Sequence, residues 1–468
     1  MVSADADGAR IELDVTGIAH GGVGVARDAD GRVVFVADAI PGERVLALVI
    51  ETKKSFARAV ALQVLKPSPD RVAHVWPEAS IERDPADRVG GAEFGHIALA
   101  RQRALKAEVL LDALRRFGGV DDGALRDAAG RVGAAGDGLV QPAPGDDAAN
   151  GLGWRTRVRL SVGPDGRPGQ FAARSHRVVP VGSLPLAAPG IESVLAQEFA
   201  AGETVSVIAS ALRLPSVAQG AEGAVAQGAE GAVARGAEGV RLVIGDQKPS
   251  VIEERVGGRA FRVDDTGFWQ VHRAAPEVLV AAVRDAVDTE RFDPDAHNLD
   301  LYGGVGLLAS ALGDLGGPST RVETVESDAR ASAHAAENLA DYENAIATVG
   351  RVDRWVRGAG PSTRSARSGS RGRDARSGGR GSDARSGGGY EGATIVLDPP
   401  RSGAGIEVAR GIAGLGATQL VYVACDPVAL ARDTRTLQAA GYRLSRLAAY
   451  DLFPHTHHLE AVATFLKD

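Results

Sequence analysis

Hydrophobic and polar positions alternate in short runs along residues 10–66. The runs comprise residues 11–15, 24–27, 32–37, 44–51 and 56–64, and turn signals such as Asp-Ala-Asp-Gly and Pro-Gly separate them. A period of two is typical of strands with one buried face, and several short strands at close spacing indicate a small closed sheet. The pattern therefore predicts an N-terminal β-barrel.

A different pattern, rich in alanine, leucine and alternating charges, covers residues 97–117. It predicts a helix, which Gly118 and Gly119 are suited to end. Residues 154–181 return to a β-rich pattern.

Strands and helices are predicted to alternate in the last third of the chain. The strand candidates are residues 298–302, 321–325, 345–349, 393–397, 419–424 and 461–466, and helical stretches include residues 305–312, 329–342 and 428–440. Continuous apolar runs are expected of parallel strands that are buried on both faces. The order predicts a doubly wound, Rossmann-like α/β domain of the kind that binds nucleotide cofactors.

Composition narrows the class of protein. A chain of 468 residues is too long for one ordinary core, and no run approaches the ~20 apolar residues of a membrane span. The acidic N-terminus lacks an apolar signal core, so a cytoplasmic protein without a membrane partner is expected. A single cysteine excludes an internal disulfide framework and an iron-sulfur cluster held by several cysteines of this chain.

Two segments resemble insertions. Residues 217–239 repeat an Ala-Val-Ala-Gln-Gly-Ala-Glu-Gly unit, which predicts an expanded low-complexity loop. Residues 358–389 consist almost entirely of Gly, Ser, Ala, Arg and Asp, so they are expected to be disordered. The arginines of the second insertion are able to hold RNA, but a tolerated linker is the favoured interpretation.

Basic side chains supply candidate RNA contacts, since the net charge of -7 does not exclude a local basic face. The candidates in the predicted barrel are Lys53, Lys54 and Arg58, for which a solvated loop is the alternative. In the central segment Arg155, Arg157 and Arg159 alternate along one strand and would share a face. That face suits phosphate contact, although a solvent-facing strand explains it equally well.

Candidate cofactor residues follow the predicted parallel strands. The motif Asp300-Leu-Tyr-Gly303-Gly304-Val-Gly306 follows one strand and opens a helix, where glycines allow close approach of a ligand, although the three-glycine fingerprint is incomplete. Glu326 lies just past the next strand, in the position of a ribose acceptor. Asp353 and Asp398 are further acidic residues after strands, and helix capping is the alternative for each of these carboxylates.

The only cysteine, Cys425, directly follows the apolar run 419–424, as the Asp398-Pro-Pro-Arg401 motif follows the run 393–397. Both motifs would lie at carboxyl ends of strands, where open α/β sheets bind ligands. A lone cysteine is ordinarily a small buried hydrophobe.

Taken together, the motifs resemble the S-adenosylmethionine-dependent RNA uracil carbon-5 methyltransferase family. They are Asp300-x-x-x-Gly304-x-Gly306, Asp398-Pro-Pro-Arg401, Cys425-Asp-Pro with Leu430-Ala-Arg-Asp433, Phe453-Pro-His-Thr-His-His-Leu-Glu460, and Gly267-Phe-Trp-Gln270. The first segment resembles the TRAM domain, a small β-barrel found in many ribosomal-RNA members.

The resemblance implies a role for each motif. Cys425 matches the nucleophile and Glu460 the base, while the glycine loop with Gly304 and Gly306 belongs to the cofactor site. The positions that match S-adenosylmethionine contacts are Gln270, Tyr302, Glu326, Asp353 and Asp398. Arg401 is a candidate contact for RNA phosphate or for the substrate base, with helix capping as its alternative.

The resemblance also implies three domains. Residues 1–67 would form the TRAM-like barrel, residues 68–266 a central α+β RNA-binding domain, and residues 267–468 the methyltransferase domain.

Three departures from the family accompany these matches. Many members hold an iron-sulfur cluster with cysteines just after the TRAM segment, whereas residues 75–91 contain none, so no cluster is expected and its structural role must be filled otherwise. Asp426 and Leu307 stand where asparagines are common. The histidines at 455, 457 and 458 have no second cluster to complete a metal site, so no metal is expected, and they are candidates for positioning the loop that carries Glu460.

The sequence thus predicts a methyltransferase that forms 5-methyluridine in RNA. Ribosomal RNA is favoured because of the TRAM segment, transfer RNA is the alternative, and a monomer is the default. A methyltransferase of another acceptor class and a non-catalytic RNA-binding factor are the remaining hypotheses.

Overall fold

A computed structural model of the chain describes residues 8–130, 138–209, 239–359 and 389–468. The two predicted insertions, 217–239 and 358–389, therefore lie outside the described residues except at their ends. The chain divides into two compact units. The first comprises Met1–Leu279, Cys425–Val428 and Leu447–Ala461, and the second Val280–Ala424, Ala429–Arg446 and Val462–Asp468.

The first unit begins with a six-stranded sheet around one core. Its strands are β1 (Arg10–Asp14), β2 (Gly17–Ala19), β3 (Val23–Arg27), β4 (Val33–Ala37), β5 (Arg44–Thr52) and β6 (Phe56–Lys66), in the order β1-β5-β6-β4-β3-β2. Alternate residues face inward, and these side chains form a closed cluster that includes Leu13, Val34 and Val45. The five predicted strands are confirmed. The sequence did not predict β2, because three residues are too few to establish a period.

Helices and a second sheet follow in the first unit. The elements are α1 (Leu99–Ala113) with a π turn at Leu114–Gly118, α2 (Asp122–Ala129), β7 (Val140–Pro142), β8 (Arg157–Val162), β9 (Pro168–Phe171), β10 (Val178–Pro180), β11 (Thr204–Ala209), β12 (Val240–Ile244), β13 (Val251–Val256) and β14 (Arg259–Asp264). Strands β8 to β12 form an antiparallel sheet in the order β10-β9-β8-β11-β12 over a core around the buried Trp154. The predicted helix ends as expected, with Gly119 in the left-handed region at φ +68°.

A buried arginine fixes the segment in which the family's cluster cysteines would lie. Arg88 is 3% exposed, and its guanidinium pairs with Asp38 at 2.8 Å. It also donates to the carbonyl oxygens of Ala61, Arg83 and Ile81 at 2.9–3.0 Å. These bonds satisfy a buried cation and tie residues 81–88 to strand β6. Hydrogen bonds thus supply cross-links in this segment that need no cysteine.

The second unit is an α/β unit. Its elements follow α3 (Ala275–Ala286) in the order β15 (Asn298–Leu301), α4 (Leu307–Gly316), β16 (Arg321–Glu326), α5 (Ala329–Asn338), β17 (Asn344–Val349), α6 (Val352–Ala359), β18 (Thr394–Leu397), α7 (Ile406–Gly414), β19 (Gln419–Ala424), α8 (Pro427–Ala439), β20 (Tyr442–Asp451) and β21 (Glu460–Lys467). Strands β17, β16, β15, β18 and β19 are parallel neighbours in that order, and the sheet continues with β21 and β20. The expected doubly wound pattern is confirmed.

All six strands predicted for this unit are present, with their ends shifted by one residue or less. Strand β20 was not predicted, because its charged residues Arg443, Arg446 and Asp451 fall at no regular spacing and so mark no period of two. Within the described residues, no helix combines the length and apolar character that a bilayer crossing needs.

Candidate active site

A fully buried carboxyl group marks the end of β15. Asp300 accepts hydrogen bonds at its Oδ2 from the backbone N–H of Ala309 at 3.0 Å and from the Thr324 hydroxyl at 3.4 Å, whereas its Oδ1 is buried without a hydrogen-bond partner. A Cβ on Gly303 would lie 1.8 Å from the Thr324 oxygen, so only glycine fits there. Burial raises the pKa of Asp300 to about 7, and the charge of Glu326 adds to that rise.

Replacing Asp300 with asparagine is expected to raise the unfolding temperature more at pH 8 than at pH 5. The folded pKa of about 7 lies above the ordinary value of 3.8, so the carboxyl group contributes stability at low pH that is lost as the pH rises through 7. Asparagine keeps the acceptor for Ala309 without the buried charge. Thermal unfolding at both pH values measures the effect. Asp285→Asn, at an exposed position of α3, is the control, and an equal gain at both pH values would contradict the prediction.

The glycine loop and Glu326 lie at the ends of two neighbouring parallel strands. Leu301 pairs with Val325, so Tyr302 and Glu326 both follow directly at the same edge. The Glu326 carboxylate accepts from the backbone N–H of Gly304 at 3.0 Å and from that of Asp328 at 2.7 Å, which fixes its orientation. Gly304 and Gly306 have φ values of +54° and +87°, and a Cβ on Gly304 would meet no atom within 4 Å. The loop thus leaves open space above a carboxylate that is held in place.

Asp398 follows β18, on the other side of β15. Leu301 also pairs with Leu397, so Tyr302, Glu326 and Asp398 follow three adjacent strands. Asp398 is half-buried, and desolvation raises its pKa to about 7, with the charge of Asp300 contributing. Carboxylates clustered at this edge favour a ligand that brings hydroxyl, amino or cationic groups.

Asp353 is placed differently from the other two carboxylates. It lies in the first turn of α6, where Arg351 contacts it at 3.0 Å and Arg357 at 3.1 Å. The hydrogen bond from Arg351 lowers the pKa of Asp353 despite the opposing effect of desolvation. Its carboxylate is therefore already bound by two arginines. This placement fits the alternative interpretation of Asp353 as a charged residue at the start of a helix. Tyr302 is near enough to feel the charge of Asp353, and burial raises the pKa of this tyrosine to about 12.

A buried network, which the sequence did not reveal, fixes the loop after the Asp-Pro-Pro-Arg motif. Asp433 on α8 accepts from the Tyr422 hydroxyl at 2.6 Å and from the backbone N–H groups of Ala404 and Gly405 at 2.8 and 3.2 Å. Gly403, at φ +82°, lies so close that a Cβ would be 2.8 Å from the Asp433 carboxylate. Asp433 belongs to a motif that carried the family resemblance, but contacts that link β19, α8 and the loop have no local sequence signature.

In the first unit, Cys425 directly follows β19 in the chain and is partly exposed. The next residue, Asp426, accepts from the backbone N–H of Val428 at 3.0 Å through Oδ1 and thereby caps the first turn of α8. Its Oδ2 lies 3.2 Å from Nε2 of His20, which follows β2. Aspartate therefore caps this helix as the family's asparagine would, and it has a histidine within ion-pair distance.

Glu460 opens β21 and is 4% exposed. The preceding segment contains His455, whose φ of +64° is in the left-handed region. Burial lowers the pKa of His455, which favours the neutral form of its ring. Within the described residues no group of three or more His, Cys, Asp or Glu side chains is placed to hold a metal ion.

Gln270 is half-buried. Two residues before it in the chain is Phe268, an aromatic residue that the sequence did not single out. Phe268 is 76% exposed, whereas the neighbouring Trp269 is buried against Phe261. The exposure of this large apolar ring is the signal that marks Phe268 as a candidate functional residue, and only the structure provides it.

The predicted RNA contacts differ in their surroundings. Lys53 and Arg58 both pair with Glu51, at 2.9 and 3.1 Å, while Lys54 is exposed. At the second unit's Asp-Pro-Pro-Arg motif, Arg401 is exposed.

The expected row of three arginines on one strand face needs a correction, since β8 begins at Arg157 and Arg155 lies before it. Arg159 is exposed, but the Arg157 side chain is only 11% exposed, pairs with Glu254 at 3.4 Å and donates to the carbonyl oxygens of Asp265 and Gly267. Arg155 is half-buried and donates to the Arg157 carbonyl oxygen. Alternation placed these residues on one side of the strand, but the β13–β14 hairpin, which supplies Glu254, occupies part of that side.

Comparisons with known proteins identify the family and the fold. The family model of tRNA (uracil-5-)-methyltransferases matches residues 375–468, and that of the TRAM domain matches residues 6–62. The chain is 36% identical over 480 residues to an RNA methyltransferase of Streptomyces avermitilis, covering 97% of this chain and 98% of the relative. It is 33% identical over 448 residues to one of Bifidobacterium longum, covering 94% and 92%.

A solved structure confirms the fold. The Pyrococcus abyssi tRNA (uracil-54, C5)-methyltransferase in complex with S-adenosyl-L-homocysteine superposes with a TM-score of 0.58 at 19% identity, over 97% of this chain and all of that chain. The Rossmann-like fold class and the N-terminal TRAM domain are confirmed. With relatives above 30% identity over nearly the whole length, the chain belongs to the S-adenosylmethionine-dependent RNA uracil carbon-5 methyltransferase family.

Proposed function

We propose that this enzyme converts a uridine of structured RNA to 5-methyluridine by adding Cys425 to carbon 6 of the base and eliminating it with the help of Glu460. The observation that carries this proposal is the position of the chain's only thiol, which is partly exposed directly after a buried parallel strand, next to a residue that caps the following helix. A thiol kept only for packing would be expected to be fully buried.

The residues of the second unit fit S-adenosylmethionine. Glu326 offers a fixed carboxylate for the ribose hydroxyls, the loop at Gly304 and Gly306 leaves room for close approach, and Asp398 and Tyr302 follow the adjacent strands. The family resemblance adds Gln270 and Asp353 to the proposed set, and the two arginines on Asp353 leave it the fewest free acceptor positions. When bound, S-adenosylmethionine supplies a methyl group on a positively charged sulfur.

The thiolate of Cys425 starts the reaction. Carbon 5 of uracil is a poor nucleophile, but a bond from Sγ to carbon 6 moves the ring's π electrons towards carbon 5 and the neighbouring carbonyl oxygen as an enolate. Carbon 5 is then able to take up a methyl group. A thiolate is suited to this because it is strongly nucleophilic and also leaves readily.

Glu460 completes the cycle by taking the proton from carbon 5. The electron pair of that C–H bond re-forms the double bond between carbons 5 and 6, and the electrons of the C–S bond return to Sγ. A carboxylate within hydrogen-bond reach is able to act as this base. The target uridine must be reachable, so a loop nucleotide or one extruded from its stack is required.

Substituting glutamine for Glu326 is expected to weaken S-adenosylmethionine binding about tenfold to hundredfold, because a charge-assisted hydrogen bond contributes roughly 1.5–3 kcal/mol. Isothermal titration with the cofactor alone measures the change. Glu343→Gln, at an exposed position after α5, is the matched control and should bind normally. Unchanged affinity of Glu326→Gln would remove Glu326 from the site.

For the acceptor we favour ribosomal RNA, with transfer RNA as the second candidate because the matching family model and the superposed enzyme are described as acting on tRNA. The proposed RNA contacts are Lys53, Lys54, Arg58, Arg155 and Arg401, to which the exposed Phe268 adds a ring for base stacking. Arg157 stays the weakest of the original candidates because its charge is balanced by Glu254. We further propose a cytoplasmic monomer without an iron-sulfur cluster.

The deciding experiment uses purified protein, S-adenosylmethionine with a labelled methyl group, and separate preparations of unmodified ribosomal and transfer RNA. Label in 5-methyluridine after digestion to nucleosides is expected, and the RNA that carries it identifies the acceptor. Label in another nucleoside would favour the rival methyltransferase class. Binding of RNA without any binding of the cofactor would favour a non-catalytic factor.

A further inference from the structure

The segment between β20 and β21 is held by polar side chains that lie more than 300 residues away in the sequence. It comprises residues 452–459, leads directly to Glu460, and belongs with helix α1 to the first unit. Most of its side chains are buried although it has no regular secondary structure. A buried irregular segment needs partners for its backbone groups, and α1 supplies them.

Lys106 of α1 holds the start of this segment. Its ammonium group lies 2.5 Å from Oδ1 of Asp451 and donates to the carbonyl oxygen of Phe453 at 3.1 Å. The side chains of Lys106 and Asp451 are both 0% exposed. Arg103, one turn earlier, lies 3.4 Å from the other carboxylate oxygen of Asp451.

Gln102, one turn before Lys106, holds the middle of the segment. Its Oε1 accepts from the backbone N–H of His455 at 2.8 Å, and its Nε2 lies 3.1 Å from Nδ1 of the same histidine. An amide nitrogen only donates, so Nδ1 of His455 accepts, and Nε2 of His455 carries the proton that goes to the Asn150 carbonyl oxygen at 2.8 Å. The Gln102 amide nitrogen also lies 2.7 and 3.2 Å from the carbonyl oxygens of Ile97 and Phe94, so three acceptors share its two hydrogens. Phe94 donates its backbone N–H to the carbonyl oxygen of His455 at 2.9 Å. These bonds hold His455 at its left-handed φ.

Such a network adds little to the free energy of unfolding. Two charges without solvent contact lose their hydration, and well-packed apolar residues of similar size are often at least as stable. What the network does provide is one conformation, because every bond fixes the path of the chain towards Glu460. A proton transfer depends on that path, since a displacement of about 1 Å is able to slow a reaction about a hundredfold.

We propose that Gln102 and Lys106 are positioning residues that hold the segment before Glu460 so that its carboxylate reaches the proton on carbon 5 of the methylated base. The proposal rests on the proposed function, because it assigns the two residues to the elimination half of that reaction. They act through Glu460 and do not touch the substrate.

The test separates elimination from addition. Two variants each remove part of the network while keeping the side-chain volume. They are Gln102→Met and the double variant Lys106→Met with Asp451→Leu, which removes both charges of the buried pair and leaves Arg103 paired with Asp147. With uridine-containing RNA and S-adenosylmethionine, both are expected to lose at least about tenfold in turnover and to accumulate a covalent protein–RNA adduct that survives denaturing electrophoresis. With 5-fluorouridine RNA, which cannot lose a proton from carbon 5, both should form adduct within about twofold of the wild-type rate.

Glu108→Gln on the exposed face of α1, where Glu108 pairs with Arg101, is the control and should behave as wild type. Slower turnover without adduct accumulation, or an equal loss of adduct formation with both RNAs, would show a structural role only and overturn the inference, as would unchanged turnover. If the double variant does not fold, Gln102→Met decides. Failure of the wild-type protein to form any adduct with 5-fluorouridine RNA would instead contradict the proposed function itself.

Discussion

Replacement of Cys425 by alanine is expected to abolish formation of 5-methyluridine, with a loss of at least ~10³-fold in turnover, because no other thiol in the chain is available to activate carbon 5. Labelled methyl transfer to RNA measures the loss, and the covalent adduct with 5-fluorouridine RNA should disappear as well. Alanine leaves the second unit's carboxylates intact, so binding of S-adenosylmethionine should persist.

Cofactor binding by Cys425→Ala is therefore the internal control, since it shows that the variant is folded. Thr436→Ala, at a partly exposed position of α8, serves as the matched control for activity. Full activity of Cys425→Ala would eliminate the addition mechanism and favour a methyltransferase in which the cysteine is incidental.

For Glu460→Gln, turnover is expected to fall about 10²- to 10⁴-fold, the range that a general base contributes. Addition and methyl transfer need no base at this position, so the reaction should stop after methyl transfer, with carbon 6 still bonded to Sγ of Cys425. Denaturing electrophoresis with uridine-containing RNA should show the adduct, and mass analysis of the digested adduct should find the methyl group on the base.

Two results would contradict this assignment. Loss of turnover with no adduct would place Glu460 before the addition step or in folding alone. Normal turnover would mean that another group takes the proton from carbon 5. The positioning role proposed for Gln102 and Lys106 would then be wrong, because it acts through Glu460.

The candidate residues that the sequence located best are those that directly follow buried parallel strands. Asp398 comes after the apolar run 393–397, Glu326 ends the strand β16, and the pairing of both strands with β15 places the two carboxylates at one edge. Asp353 was located less well, because its place after a strand does not reveal that Arg351 and Arg357 surround it.

Side-chain partners could not be predicted in the same way. Alternation on β8 predicted that three arginines share a face, but a hairpin about a hundred residues later in the chain supplies Glu254 and takes Arg157 out of solvent. Nor does anything near Asp433 in the sequence show that it binds Tyr422 and the loop at Ala404.

By itself, the sequence determined five of the six barrel strands, the alternation of strands and helices in the last third apart from β20, the TRAM segment, the family, and the placement of Cys425 directly after a strand. These follow from local periodicity and from short motifs. Only the tertiary structure decided how the segment before Glu460 is held. Lys106 lies 345 residues from Asp451, and Gln102 lies 353 residues from His455. Hydrogen bonds and ion pairs across such separations depend on how the chain folds back, and a helix that buries a lysine has the same local pattern as one that exposes it.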